Sequence, residues 1–173
     1  MREKIVIFLF SMIVILPIIC FYTKGYRLNL TRSLPVGIYK ATPITSDTVF
    51  LRGDIVIFCP SIEVAKYTKE KRYLDYGITC SNNVIPMQKM IVALYGDNAT
   101  IKDSVLYVNN QTFQIVNEDK NGLIELNYKG GIVKQGYFLA LTDANYGFDS
   151  RYFGEVALEN IIAKTSIVLK FWE

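Results

Sequence analysis

Histidine is absent from the 173 residues of this chain, and that absence removes Ser-His-Asp and Cys-His catalysis, histidine-based zinc sites and every imidazole base. Any acid or base work falls to Lys, Asp, Glu, Tyr or Cys. Cysteine is scarce: three residues without metal-ligand spacing offer no metal site and no iron–sulfur chemistry, and no cofactor is implied. Excess charge is also lacking, since the net charge is +3 and the basic residues are scattered, which does not suggest nucleic acid as a partner. No internal repeat or low-complexity tract occurs. The length suits one ordinary domain plus one membrane segment.

Charge is missing altogether from Ile5 to Tyr22, IVIFLFSMIVILPIICFY, a run close to the roughly 20 apolar residues that cross a bilayer as a helix. Arg2 and Lys4 precede it, and Phe21-Tyr22-Thr23-Lys24-Gly25 lacks the small residues that follow the apolar core of a cleavable signal peptide. The expected organisation is therefore an uncleaved anchor over residues 1–24, inserted through residues 5–22, with one domain over residues 25–173. Lys24, Arg27, Arg32 and Lys40 offset Arg2 and Lys4, so the positive-inside count leaves the orientation open. Cys20, preceded by the bulky Ile19, reads as a small apolar membrane residue rather than a lipid attachment site.

Beyond the anchor the pattern is mainly β. Strands are expected at Val49 to Leu51, Asp54 to Phe58, Lys89 to Tyr95, Val105 to Val108, Thr112 to Val116, Leu123 to Tyr128 and Tyr137 to Leu141, rich in Ile, Val, Tyr and Phe. Val108-Asn109-Asn110-Gln111 and Lys129-Gly130-Gly131 carry hairpin-turn chemistry. One helix is expected from Ile62 to Tyr76, a solvated surface insertion with Lys66, Lys69, Glu70, Lys71 and Arg72.

Ser33 lies in Asn29-Leu30-Thr31-Arg32-Ser33-Leu34-Pro35-Val36-Gly37-Ile38-Tyr39, about a dozen residues past the anchor, on a bend shaped by Pro35 and Gly37. Even an extended link from Tyr22 reaches only roughly 36 to 40 Å, which keeps this hydroxyl near a bilayer surface. Taken alone, the string reads as a turn. A reactive serine without histidine needs a neutral lysine, and neutrality near pH 7 requires desolvation. Lys89 sits in the apolar stretch Val84-Ile85-Pro86-Met87-Gln88-Lys89-Met90-Ile91-Val92-Ala93-Leu94. On position alone the first reading is an edge-strand lysine pointing to water, ahead of a buried base.

Four ordered blocks now bear comparison with a known family: the Ser33 block, Arg52-Gly53-Asp54-Ile55-Val56-Ile57-Phe58, the Lys89 block ending Tyr95-Gly96-Asp97, and Phe148-Asp149-Ser150-Arg151-Tyr152-Phe153-Gly154. Together they resemble the boxes of type I signal peptidases. Asn-x-Thr-x-Ser-x-Pro-x-Gly-Ile-Tyr at 29–39, Phe58-Cys59-Pro60 and Cys80 before the lysine are similar to the conjugative-transfer, TraF-type branch, which matures pilin subunits.

The resemblance implies a mainly β, signal-peptidase-like antiparallel barrel or sheet with one N-terminal transmembrane helix and a helical insertion over 59–80. It implies Ser33 as nucleophile and Lys89 as general base. The Ser33 backbone amide and the Thr31 hydroxyl would form the oxyanion hole, with Asp149 and Arg151 as a supporting ion pair. Gly147 stands where many relatives carry a serine that orients the lysine, and Ser150 or a water is a substitute to consider. Ser81-Asn82-Asn83 and Met87-Gln88 are further departures, touching loop shape and local polarity. Cys59 and Cys80 have counterparts in the family; bridged, they would close a loop of about 22 residues worth roughly 3 kcal/mol, and reduced thiols are the alternative. The expected function is an endopeptidase in a bacterial cytoplasmic membrane, its domain facing the periplasm. Its expected partners are a pilin-like precursor substrate and conjugation or type IV secretion components. Cyclisation of the product remains open, and the non-enzymatic alternative is a membrane-tethered β scaffold.

Overall fold

The computed structural model describes residues 2–119, 122–124, 128–142 and 147–171, with backbone alone at 2, 3, 5–8, 119 and 123. Helix α1 (Arg2–Thr23) leads into β1 (Tyr26–Asn29) and β2 (Gly37–Pro43), and β3 (Ile55–Phe58) precedes α2 (Ile62–Glu70) and β4 (Met87–Ala93). A meander follows: β5 (Asn98–Lys102), β6 (Val105–Val108) and β7 (Gln111–Gln114), then the short β8 (Glu118–Asp119), β9 (Gly122–Leu123) and β10 (Gly131–Ile132). The chain ends in β11 (Tyr137–Leu141), α3 (Ser150–Phe153), β12 (Val156–Ala157), a 3-10 turn and the long β13 (Ile161–Lys170).

The main sheet is antiparallel in the order β1-β2-β13-β3-β4-β11-β12, and a second sheet runs β10-β5-β6-β7. Among the described residues the main sheet is open, with β1 and β12 as its edges, rather than a closed barrel. Strand β4 is internal because β3 and β11 flank it. Its alternation places Met87, Lys89 and Ile91 on the buried face and leaves Gln88 and Met90 half-buried. Met87 and Ile91 join Val56, Phe58, Phe138 and Ile161 in one apolar cluster. On the far side Val92, Leu139 and Leu141 pack with Leu106, Val108 and Phe113 of the second sheet.

Several expectations need correction. Val49 to Leu51 is irregular, because Asp54 closes a turn on Leu51 through Oδ2 to the Leu51 N–H (2.7 Å) and its own N–H to the Leu51 carbonyl (3.1 Å). The insertion helix stops at Glu70 instead of Tyr76: Arg72 takes a left-handed φ of 57°, and the Tyr73 N–H turns back to the Thr68 carbonyl. Nor is it merely a solvated appendage, since Ala65 and Thr68 are buried. The expected strand Leu123 to Tyr128 lies largely outside the described residues. Lys129-Gly130-Gly131 leads into β10, which pairs with β5. Asn109 and Asn110, with φ of 49° and 62°, do form the tight turn between β6 and β7. Cys59 and Cys80 are joined by a disulfide with Cα atoms 5.6 Å apart, closing the insertion at its base.

Helix α1 exposes Leu9, Phe10, Ile13, Ile15 and Ile19. Among the described residues no helix is long and apolar enough to cross a membrane.

Arg52 and Asp97 fasten the β3 approach to the turn after β4: Arg52 Nε donates to Asp97 Oδ2 (2.7 Å) and Nη2 meets Oδ1, while the Leu94 N–H and Asn109 Nδ2 also donate to Oδ2 (both 2.9 Å). The Arg52 hydrogen bond foremost holds the Asp97 carboxyl down at about 2. A depressed carboxylate stabilises the fold above its ordinary value of 3.8 and loses that contribution as pH falls towards about 2. Asp97→Asn is expected to cost about 1 kcal/mol at pH 7, a shift of a few degrees in thermal midpoint, with the gap narrowing in melts at pH 3.

Candidate active site

Ser33 sits on the connection between β1 and β2, and the shape of that bend comes from one side chain, Asn29. Its Nδ2 donates to the carbonyls of Thr31 (3.0 Å), Leu34 and Pro35 (both 3.2 Å), and its Oδ1 accepts from the Thr31 N–H (3.2 Å) and hydroxyl (2.7 Å). The buried Tyr39 adds a brace, its Oη donating to the Pro35 carbonyl at 2.7 Å. Leu34 and Val36 bury their side chains on either side of Pro35, leaving Ser33 half-buried. Ser33 Oγ lies 3.0 Å from Thr31 Oγ1. Because the Thr31 proton is given to Asn29, the hydrogen on that contact belongs to Ser33.

Lys89 is 7% exposed, and among the described residues its side-chain amine forms no hydrogen bond or ion pair. The edge-strand alternative is thereby corrected: β4 is internal, and the side chain shares the face of Met87 and Ile91. Burial among these apolar neighbours pulls its amine down from 10.5 to about 8, opposed by the Asp149 carboxylate and assisted by the Arg151 guanidinium. Ser33 and Lys89 line one groove, with Thr31, Gln88, Gly147 and Phe148. They are not hydrogen-bonded to each other. Gln88 turns aside, its Nε2 donating to Thr165 Oγ1 at 3.0 Å.

Beside the groove residues Gly147 and Phe148 lies a buried ion pair. Arg151 (1% exposed) meets Asp149 (0%) in a two-pronged contact, Nε to Oδ1 at 2.9 Å and Nη2 to Oδ2 at 2.8 Å. Arg151 also donates from Nη1 to the Gln114 carbonyl (2.9 Å) and from Nη2 to the Gly147 carbonyl (3.1 Å). Asp149 caps α3 by accepting from the Arg151 N–H at 3.0 Å, and it takes the Thr142 N–H at 3.1 Å. Ser150 is engaged elsewhere: its Oγ accepts from the Ala140 N–H at 2.9 Å, where a register shift in β11 has freed that group from the ladder. It does not hydrogen-bond Lys89.

The Ser33 block and the Lys89 block meet in one groove with Phe148 of the last block, and the buried Asp149–Arg151 pair follows directly behind Phe148 in the chain. A family model described as Signal peptidase, peptidase S26 matches residues 1–172. The chain belongs to that family. Conjugal transfer protein TraF of Agrobacterium tumefaciens (strain 15955) is 30% identical over 153 residues, spanning 86% of this chain and 85% of that protein. A plasmid transfer protein TraF of Escherichia coli is 30% identical over 155 residues, with coverage of 86% and 85%. Thylakoidal processing peptidase 1, chloroplastic, of Arabidopsis thaliana is 35% identical over 124 residues, 69% of this chain and 32% of that protein. A solved signal peptidase I from Enterococcus faecalis V583 aligns with a TM-score of 0.39 at 21% identity, covering 72% of this chain and 100% of that one.

Within this signal peptidase family member, two residues escaped the sequence reading. Asn29 opens the Asn-x-Thr-x-Ser motif with nothing local to mark its role, and only its five contacts show that it organises the serine bend. Phe148 was likewise unassigned; its ring stacks on Tyr67 (5.5 Å), Tyr73 (4.9 Å) and Tyr152 (5.6 Å), tying the insertion to the ion-pair wall. An aromatic residue beside the Asp149 block was the available signal. Arg151→Met leaves Asp149 charged, buried and short of its main partner, so a loss of about 3 to 5 kcal/mol is expected in denaturant unfolding.

Proposed function

We propose that this chain is a membrane-anchored serine endopeptidase that processes the precursor of a conjugative pilin, using Ser33 as nucleophile and Lys89 as general base. The observation that carries the reading is a lysine held on the core face of an internal strand, with its amine lowered to about 8, opening on the same groove as a hydroxyl. Neutral Lys89 takes the Ser33 proton as Oγ attacks the scissile carbonyl, then delivers it to the leaving amine. The Ser33 backbone N–H and the Thr31 hydroxyl receive the oxyanion, which requires the Thr31 O–H to turn from Asn29 towards the substrate. The acyl-enzyme is then released by water, or by the substrate's own N-terminal amine with closure of a ring. Asp149, Arg151 and Ser150 support the wall and touch no substrate.

The proposed anchor is residues 5–22, with the peptidase domain on the periplasmic face of the bacterial cytoplasmic membrane, beside conjugation or type IV secretion components. Support comes from the apolar exposed surface of α1 and from the disulfide, a bond kept in oxidising compartments. The names of the TraF relatives supply the link to conjugation.

Co-expression with a propilin, read by mass spectrometry, tests the reading. The wild type is expected to trim the precursor, and loss of one further water marks ring closure. Ser33→Ala and Lys89→Ala are each expected to fall below about a thousandth of wild-type turnover. Trimming that survives either substitution would sink the peptidase reading, and pilus assembly without trimming would favour the scaffold. Because the base acts unprotonated, kcat/KM is expected to rise about tenfold per pH unit below its midpoint and to level off above about 8.

A further inference from the structure

We propose that Lys24, Arg27 and Lys40 form a binding site for the phosphate of an anionic phospholipid headgroup, at the junction between α1 and the β domain. The inference rests on the anchor reading above, in which residues 5–22 cross the bilayer, and not on the Ser33/Lys89 chemistry. It gives a role to three of the four basic residues past the anchor that leave the positive-inside count undecided.

The end of α1 brings the three together. Gly25 takes a left-handed φ of 84° and stops the helix, and a Cβ there would lie 2.6 Å from the Ala41 carbonyl oxygen, so the chain turns directly onto β2. The pairing sets Tyr26 opposite Lys40 and Arg27 opposite Tyr39. Arg27 Nη1 donates to the carbonyls of Tyr22 (2.9 Å) and Tyr26 (2.8 Å), and Lys40 Nζ donates to the Lys24 carbonyl. The guanidinium stands 5.4 Å from the Tyr22 ring centroid, and Lys40 Nζ stands 4.5 Å from that of Tyr26.

These contacts hold the cations in place without neutralising them. A helix C-terminus carries only about half a negative charge, against three full positive ones here. Among the described residues none of the three enters an ion pair, Arg27 Nε and Nη2 donate to no partner, and the Lys24 ammonium makes no hydrogen bond. All three line one cavity of about 460 Å³, whose described walls hold no Asp or Glu. Spare N–H donors and uncompensated positive charge around one space suit phosphate oxygens.

Position and walls favour a lipid over a free phosphate. Lys24 and Arg27 follow the proposed span directly, beside Tyr22 and Tyr26, a residue type that settles at headgroup depth. Behind the cations the cavity is apolar, with Ile57, Ile162 and Ala163 in its walls. Thr79 of the insertion also lines it, and the neighbouring Ile78 is 89% exposed, an apolar side chain that a bilayer surface would cover. Pro86 lines both this cavity and the catalytic groove, so a headgroup seated here fixes the height of the groove above the membrane.

The test is a titration of the full chain, labelled with nitrogen-15 arginine, in dodecyl maltoside micelles. The probes are dihexanoyl phosphatidylglycerol, dihexanoyl phosphatidylcholine and inorganic phosphate. The Arg27 Nε–H resonance is expected to shift saturably with phosphatidylglycerol alone. Lys24→Gln is the decisive variant, because that ammonium supports no contact of the fold: it should leave the thermal midpoint unchanged yet weaken the apparent Kd about fivefold. Lys24→Gln combined with Lys40→Gln should weaken it about 25-fold, and Lys102→Gln on β5 of the second sheet should not change it. Wild-type affinity in Lys24→Gln, or equal affinity for phosphatidylcholine, overturns the proposal; inorganic phosphate bound as tightly as phosphatidylglycerol overturns the lipid assignment. Alkaline carbonate extraction of membranes separates the two levels. Release of the chain removes the anchor reading itself, whereas retention without a saturable phosphatidylglycerol site removes only the headgroup site.

Discussion

A carboxylate and a guanidinium that are both withdrawn from water must satisfy each other, and the Asp149–Arg151 pair is the constraint around which this domain is arranged. Neither charge tolerates solitude at such burial, so every remaining donor and acceptor on the pair has to be met by a fixed partner. Those partners include the Gln114 and Gly147 carbonyls, the Thr142 N–H and hydroxyl, and the Arg151 N–H at the start of α3. One ion pair therefore joins the second sheet, the end of β11 and the last motif block into a single wall. The surface ion pairs are of another kind: Lys134 stands 4.0 Å from Glu155 with its side chain 77% exposed, and nothing else depends on it.

The same pair sets the field in which Lys89 lives. Burial withdraws the amine from water and is the largest influence on it, while Asp149 and Arg151 act on it with opposite signs. A lone carboxylate at that place would hold the amine charged, and a lone guanidinium would make a charged amine costlier still. Paired, they act against each other, and desolvation decides. The opposing wall needs no charge at all: the Asn29 network fixes the Ser33 bend with neutral hydrogen bonds, so the hydroxyl is presented without altering the field around the lysine.

What could be read in the sequence was local. Apolar runs bounded by turn residues located β3, β4, β6 and β11 to within a few positions, and the Asn109-Asn110 pair located its hairpin. The motif blocks carried the family and the candidate dyad. What escaped depended on partners far along the chain. Strand β13 slots between β2 and β3, with its outer half exposed and a bulge near Ile167, so neither alternation nor flanking turns marked it. Strand β5 hid because its turn uses Asp103 and Ser104 at positive φ instead of glycine. Whether Lys89 lay on an edge was undecidable locally, because β4 becomes internal only when β11 pairs with it.

The insertion shows how a remote element enters this arrangement. Its ends are held together by the Cys59–Cys80 disulfide, its helix starts on the Ser61 cap, and its return segment Arg72 to Asp75 forms one bank of the groove. The insertion has little core of its own, Ala65, Cys80 and Val84 with Cys59 and Leu74 alongside, too few side chains to fix a bank against thermal motion. Its position is set instead from the opposite side, where Phe148 lies between Tyr67 and Tyr73 of the insertion and Tyr152 of α3. Phe148 precedes Asp149 directly, so the residue that docks the insertion is covalently next to the carboxylate that holds the wall. The width of the groove is thus a property of the ion pair as much as of the disulfide, and a change at either reaches Ser33 and Lys89 through the same ring.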